Sequence, residues 1–137
     1  MEPTRVLVAD DNEMYRAQLG RFVSSQPDME VVGFASDGGE AVCLASLLQP
    51  DFVLMDLCMP VLDGYDAIQM VTSTYEAVKV IALTAHRTPG SESRCIEVGA
   101  SAFLRKSDVD SQLIEMIRGL AGASPGPVYP GPPPGQA

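Results

Sequence analysis

Three carboxylates, a hydroxyl and an ammonium each stand directly after an apolar stretch of strand length. Asp10 and Asp11 follow Arg5–Ala9, Asp56 follows Phe52–Met55, Thr84 follows Val78–Leu83, and Lys106 follows Ala102–Arg105. Each alone has a structural explanation, since aspartates open turns and cap helices, threonine suits strands and lysine suits surfaces. Together they form a set with a chemistry. Two carboxylates about 4 Å apart repel by roughly 4 kcal/mol at an effective dielectric near 20, so a triplet either raises its own pKa values or takes up a cation. An all-oxygen site with few carboxylates and room for water suits Mg²⁺. Lys106 adds positive charge on the other side, which prepares the crevice for an incoming dianion such as a phosphoryl group. An ionised Asp56 can then attack phosphorus as a nucleophile and form an acyl phosphate. Mg²⁺ and Lys106 offset charge on the transferring oxygens, and the Thr84 hydroxyl can donate a hydrogen bond to one of them. No general base accompanies the set, and His86 reads as a loop residue. The expectation is slow self-hydrolysis, and so a switch rather than a turnover enzyme.

For these groups to meet, the apolar stretches must be strands of one sheet. Apolar runs of strand length alternate with segments of helical period. Strands are expected at Arg5–Ala9, Glu30–Ala35, Phe52–Met55, Val78–Leu83 and Ala102–Arg105. Between and after them, helices are expected from Glu13 to Ser25, from the Asp37-Gly38-Gly39 turn through Leu48, and from about Tyr65 to Ser73. Two more follow, from Ser91 to Val98, closed by Gly99, and from Val109 to Leu120. Asn12 is the expected N-cap of the first helix, whose inward face is read as Met14, Leu19, Phe22 and Val23. Ala41, Val42, Ala45 and Leu48 form the corresponding face of the second. A strand followed by a helix five times implies a parallel sheet covered on both faces, and continuously apolar strands agree. Such sheets bind ligands beyond the carboxyl ends of their strands, where all five groups lie.

Composition narrows the function classes. The 137 residues are enough for one domain with a core. A formal charge of −9 argues against a nucleic-acid surface, which needs clustered Lys and Arg. Cys43, Cys58 and Cys95 are widely spaced and match neither a zinc pattern nor a disulfide framework, so they read as reduced cysteines. There is no secretory signal pattern and no apolar run of about 18 residues, so a cytoplasmic chain is expected, without membrane contact. Residues 123–137 are mostly Pro, Gly and small residues without a charge. They read as an extended tail or interdomain linker following a domain at 1–122.

The pieces Val8–Asn12, Leu54–Pro60 with Asp63-Gly64, Leu83–Ala85 and Phe103–Lys106 stand in an order and spacing that resembles the receiver domain of bacterial two-component response regulators. The likeness runs over about residues 4 to 121. It implies an α/β, flavodoxin-like fold of five βα units, with a parallel sheet in strand order 2-1-3-4-5. It makes Asp56 the phosphoacceptor and Asp10, Asp11 and Asp56 the acidic pocket. Mg²⁺ would be held directly by Asp11, Asp56 and the backbone carbonyl of Cys58, and by Asp10 through water. Thr84 and Phe103 resemble the family's switch pair, in which the hydroxyl moves toward the phosphoryl group and the ring follows inward. The implied partner is a histidine kinase or phosphotransfer protein, and the implied responding surface is the fourth helix, fifth strand and fifth helix, through which a homodimer can form. The wording of several segments is most similar to receivers that precede a helix-turn-helix domain, which implies control of transcription through a domain absent from this chain. Two departures stand out. Ser107 replaces the proline that often follows the lysine, which leaves the isomer of the 106–107 bond open, and Phe103 lacks the hydroxyl of a tyrosine.

Other classes fit less well. A receiver-like module that has lost phosphorylation would not need all five polar positions. A dinucleotide-dependent oxidoreductase lacks its G-x-G-x-x-G loop after the first strand. An aspartyl-phosphate phosphatase needs two aspartates two residues apart there, whereas Asp10 and Asp11 are adjacent.

Overall fold

The computed structural model describes residues 2–122, and the expected tail at 123–137 lies outside them. The strands are β1 (Thr4–Ala9), β2 (Met29–Ala35), β3 (Phe52–Asp56), β4 (Lys79–Thr84) and β5 (Ala102–Arg105). The helices are α1 (Glu13–Ser24), α2 (Gly38–Leu48), α3 (Gly64–Thr74), α4 (Ser91–Glu97) and α5 (Val109–Ala121). The strands form one parallel sheet in the order β2-β1-β3-β4-β5. This is the flavodoxin-like arrangement expected from the sequence.

Alternation along the strands sorts the core into two layers. Val6, Val8, Phe52, Leu54, Ile81, Leu83 and Leu104 face Leu19 and Val23 of α1 and Leu113, Ile117 and Leu120 of α5. Leu7, Ala9, Val53, Met55, Val80 and Ala82 face α2, α3 and Cys95 of α4. Both faces of the central strands are therefore covered, which accounts for their unbroken apolar sequence. The reading of the inward face of α1 needs one correction. Met14 is 72% exposed, because at about 3.6 residues per turn it points away from the face that carries Leu19 and Val23, and Tyr15 takes the inward place in that turn instead.

Local signals set the helix starts. Asn12 Oδ1 accepts the Tyr15 backbone N–H at 2.9 Å, and Asp37 Oδ1 accepts that of Glu40 at 2.7 Å. Gly99 has φ +113 and a Cβ there would meet Thr72 Oγ1 at 2.2 Å, so only glycine closes α4 at this point.

The loop between β3 and α3 is tightly held. A Cβ on Gly64 would lie 2.6–2.9 Å from three backbone atoms of Leu57, the residue after Asp56. Backbone cannot yield as a flexible side chain can. Gly64→Ala is expected to push α3 off this loop and destabilise the domain by about 2 kcal/mol or more. Urea unfolding measures this, and unchanged stability would contradict the close packing.

Candidate functional site

The sheet register delivers the polar groups to one crevice. Ala9 pairs with Met55, so Asp10 and Asp56 leave their strands side by side. Asp56 pairs with Leu83 and Thr84 with Arg105, which sets Thr84 and Lys106 one residue beyond on successive strands. Asp10, Asp56 and Thr84 are buried, Asp11 and Cys58 are exposed, and Lys106 is partly covered. One carboxylate oxygen from each of Asp10, Asp11 and Asp56 falls within 4.8 Å of the others.

Each carboxylate is oriented locally. Asp10 Oδ1 accepts the Asn12 backbone N–H at 2.8 Å, while Arg16 donates to the Asp10 carbonyl at 2.8 Å. Asp56 Oδ1 accepts the Cys58 N–H at 3.3 Å, so the loop after β3 turns back over the carboxylate. Lys106 Nζ lies 2.7 Å from Asp10 Oδ2 and 3.7 Å from Asp56 Oδ2. The closer contact lacks hydrogen-bond alignment, so Asp10 Oδ2 is buried with charge beside it but no donor directed at it.

One ammonium cannot neutralise three carboxylates. Burial, and then the charge of Asp10, push the Asp56 carboxyl up to about 6, against the opposing pull of Lys106 and the Cys58 N–H. The donor set is all oxygen and under-neutralised, and its buried Asp10 oxygen has no hydrogen-bond donor. These residues fit a small hard dication.

The remaining sequence-derived candidates lie around this centre. The Thr84 hydroxyl donates to the His86 carbonyl at 2.9 Å and accepts the His86 N–H at 3.3 Å, so it is turned toward its own loop. His86 itself is exposed. Phe103 is 2% exposed and packs in the core, its ring 5.7 Å from the Arg87 guanidinium. The described residues contain no cis peptide bond, and Lys106–Asp108 form a short 3₁₀ turn leading into α5.

Sequence reasoning missed Tyr15. Its ring lies 4.4 Å from Lys106 Nζ, its hydroxyl is buried without a partner, and burial followed by the Asp10 charge raises the phenol to about 12. The available signal was an aromatic residue one turn after Asp11, at the start of the helix that β1 feeds.

Comparison with known proteins agrees with the architecture. Residues 6–118 match the response regulator receiver domain. The chain is 40% identical over 121 residues to the transcriptional regulatory protein LiaR of Bacillus subtilis, covering 88% of this chain and 57% of LiaR. It is 40% identical over 116 residues to a protein-glutamate methylesterase/protein-glutamine glutaminase of Anaeromyxobacter dehalogenans, covering 85% of this chain and 34% of that protein. The chain thus spans about half the length of the first relative and a third of the second. Among solved structures, the signal receiver domain of a NarL response regulator from Mycobacterium tuberculosis superposes with a TM-score of 0.85 at 30% identity, covering 90% of this chain and all of that one.

Proposed function

The chain belongs to the response regulator receiver family, and from that premise we propose that it is a phosphorylation-controlled switch whose acceptor is Asp56. The observation that carries this reading is the buried Asp56 carboxylate beside Asp10, Asp11 and Lys106, in a set that fits a dication. Asp10, Asp11 and Asp56, with the Cys58 carbonyl, would hold Mg²⁺, which supplies charge neutralisation for the phosphoryl oxygens when bound. An oxygen of Asp56 bonds to phosphorus as the bond from phosphorus to the donor imidazole breaks. The electron pair stays on the imidazole, which is that of a histidine kinase or phosphotransfer protein. Lys106 turns from Asp10 to the arriving oxygens. Thr84 leaves the His86 carbonyl to donate to one of them, and the β4–α4 loop and Phe103 respond. The α4-β5-α5 face is the proposed output surface, for self-association or for release of an attached domain, with control of transcription as the consequence, as in LiaR. His86 reaches the site only through backbone contacts with Thr84, so hydrolysis lacks a general base and the chain acts as a switch rather than a turnover enzyme.

Intact mass after incubation with acetyl phosphate tests this reading. A gain of one phosphoryl group that requires Mg²⁺ is expected. A wild-type protein that gains none, with acetyl phosphate or with a phosphorylated kinase, would sink it.

The raised Asp56 carboxyl gives a pH dependence. At low Mg²⁺ the labelling rate is expected to rise with pH through about 6, as the nucleophile ionises. A bound dication favours the carboxylate, so saturating Mg²⁺ is expected to move the midpoint to lower pH. Rate profiles at two Mg²⁺ concentrations measure the shift, and coincident midpoints would contradict it.

A further inference from the structure

We propose that Tyr15 is a positioning residue that holds the Lys106 ammonium ready for the phosphoryl group. The inference rests on the phosphoacceptor reading above. Its support is the placement of Lys106 Nζ at 4.4 Å from the Tyr15 ring, 2.7 Å from Asp10 Oδ2 and 3.7 Å from Asp56 Oδ2. The lysine stem has four rotatable carbons, and its side chain keeps 19% exposure, so the two carboxylates alone do not fix where the charge sits. They attract it inward, onto oxygens that a dication would occupy. The ring sits on α1 and packs against the layer formed with α5, which makes it a rigid wall. An aromatic face attracts an ammonium without offering an atom that competes for a proton or a metal.

With a dication on Asp10 and Asp56, their hold on Lys106 would weaken and that of the Tyr15 ring would not. The ring would then keep the ammonium over the crevice, in reach of the incoming dianion, instead of letting it swing into water. The hydroxyl takes no part. It is buried without a partner, so the ring is what the position uses, and removing the hydroxyl removes an unsatisfied polar group.

The test compares Tyr15→Leu and Tyr15→Phe in the full chain, by rate of acetyl phosphate labelling, Mg²⁺ affinity and thermal midpoint. Tyr15→Leu is expected to label more slowly by on the order of tenfold, with Mg²⁺ affinity unchanged, and Tyr15→Phe is expected to restore the wild-type rate. Should Tyr15→Leu fail to fold, Tyr15→Met carries the same comparison. A leucine variant as fast as wild type overturns the proposal. So does a phenylalanine variant as slow as leucine, or a loss of Mg²⁺ affinity in proportion to the loss of rate. A wild-type chain that takes no phosphoryl group at all, by contrast, fails the underlying reading of Asp56.

Discussion

Asp56→Asn is expected to abolish phosphoryl uptake and, at the same time, to make the metal-free domain more stable at neutral pH. The amide keeps the shape of the carboxylate but offers no anionic oxygen to phosphorus, so the first effect should be complete. The second follows from burial of the native charge. Asp56 is 4% exposed and its carboxyl is raised from 3.8 to about 6, chiefly by burial and then by Asp10. A raised folded-state value means the native state binds more protons than the unfolded state between about pH 4 and 6, so stability declines as pH rises through that window. Above it the ionised form carries the whole penalty, an upper bound of about 3 kcal/mol. The pull of Lys106 is already contained in that value, and relaxation and water penetration around the ionised group reduce the penalty, which leaves a gain of about 1–2 kcal/mol. Urea unfolding at pH 4 and pH 8 without metal measures it. The variant should exceed wild type at pH 8 and approach it at pH 4. Equal stability at pH 8, or a variant less stable there, would contradict the crowding described. Excess Mg²⁺ should narrow the difference, because only the wild type has the full carboxylate set to bind it.

Lys106→Ala is expected to slow acetyl phosphate labelling by on the order of a hundredfold, the scale of removing one preorganised partner of the transferring oxygens. Lys106 is the charge that opposes the rise of Asp56. Its loss should therefore also move the metal-free pH profile further upward and leave buried carboxylate charge unpaired. Lys106→Arg should rescue only part of the rate. A planar fork of donors cannot occupy the place of a compact ammonium beside Asp10 and over Tyr15. Single-turnover mass measurements distinguish these cases, and an alanine variant at the wild-type rate would remove Lys106 from the mechanism.

The fold was legible because the strands are unusually plain. Phe52–Met55 and Val6–Ala9 are uninterrupted apolar runs that stop on aspartates, and each is followed by a turn signal and a helical period. Asn12, Asp37 and Gly99 marked their helix ends through caps and a left-handed turn that are local in sequence. The crevice followed from topology, since parallel strands present their carboxyl ends together.

What stayed hidden depends on contacts between distant segments. Met14 was read onto the apolar stripe of α1, yet it lies about half a turn round the helix from Val23 and remains exposed, while Tyr15 packs inward in its place. Val61, a β-branched residue at φ 74 and 83% exposed, gives no sequence sign of its left-handed backbone. The place of Lys106, nearer Asp10 than Asp56 and against Tyr15, is a rotamer choice along a flexible stem. Neither periodicity nor spacing reports it.

The most direct measurement is to locate the phosphoryl group. Borohydride reduces an acyl phosphate to an alcohol, so a phosphorylated aspartate becomes homoserine while free carboxylates survive. Peptide mass analysis after Mg²⁺-dependent labelling and reduction should find homoserine at position 56 and nowhere else. Homoserine at position 10 or 11 instead, or a phosphoryl group that resists borohydride, would contradict the assignment of Asp56 as the acceptor.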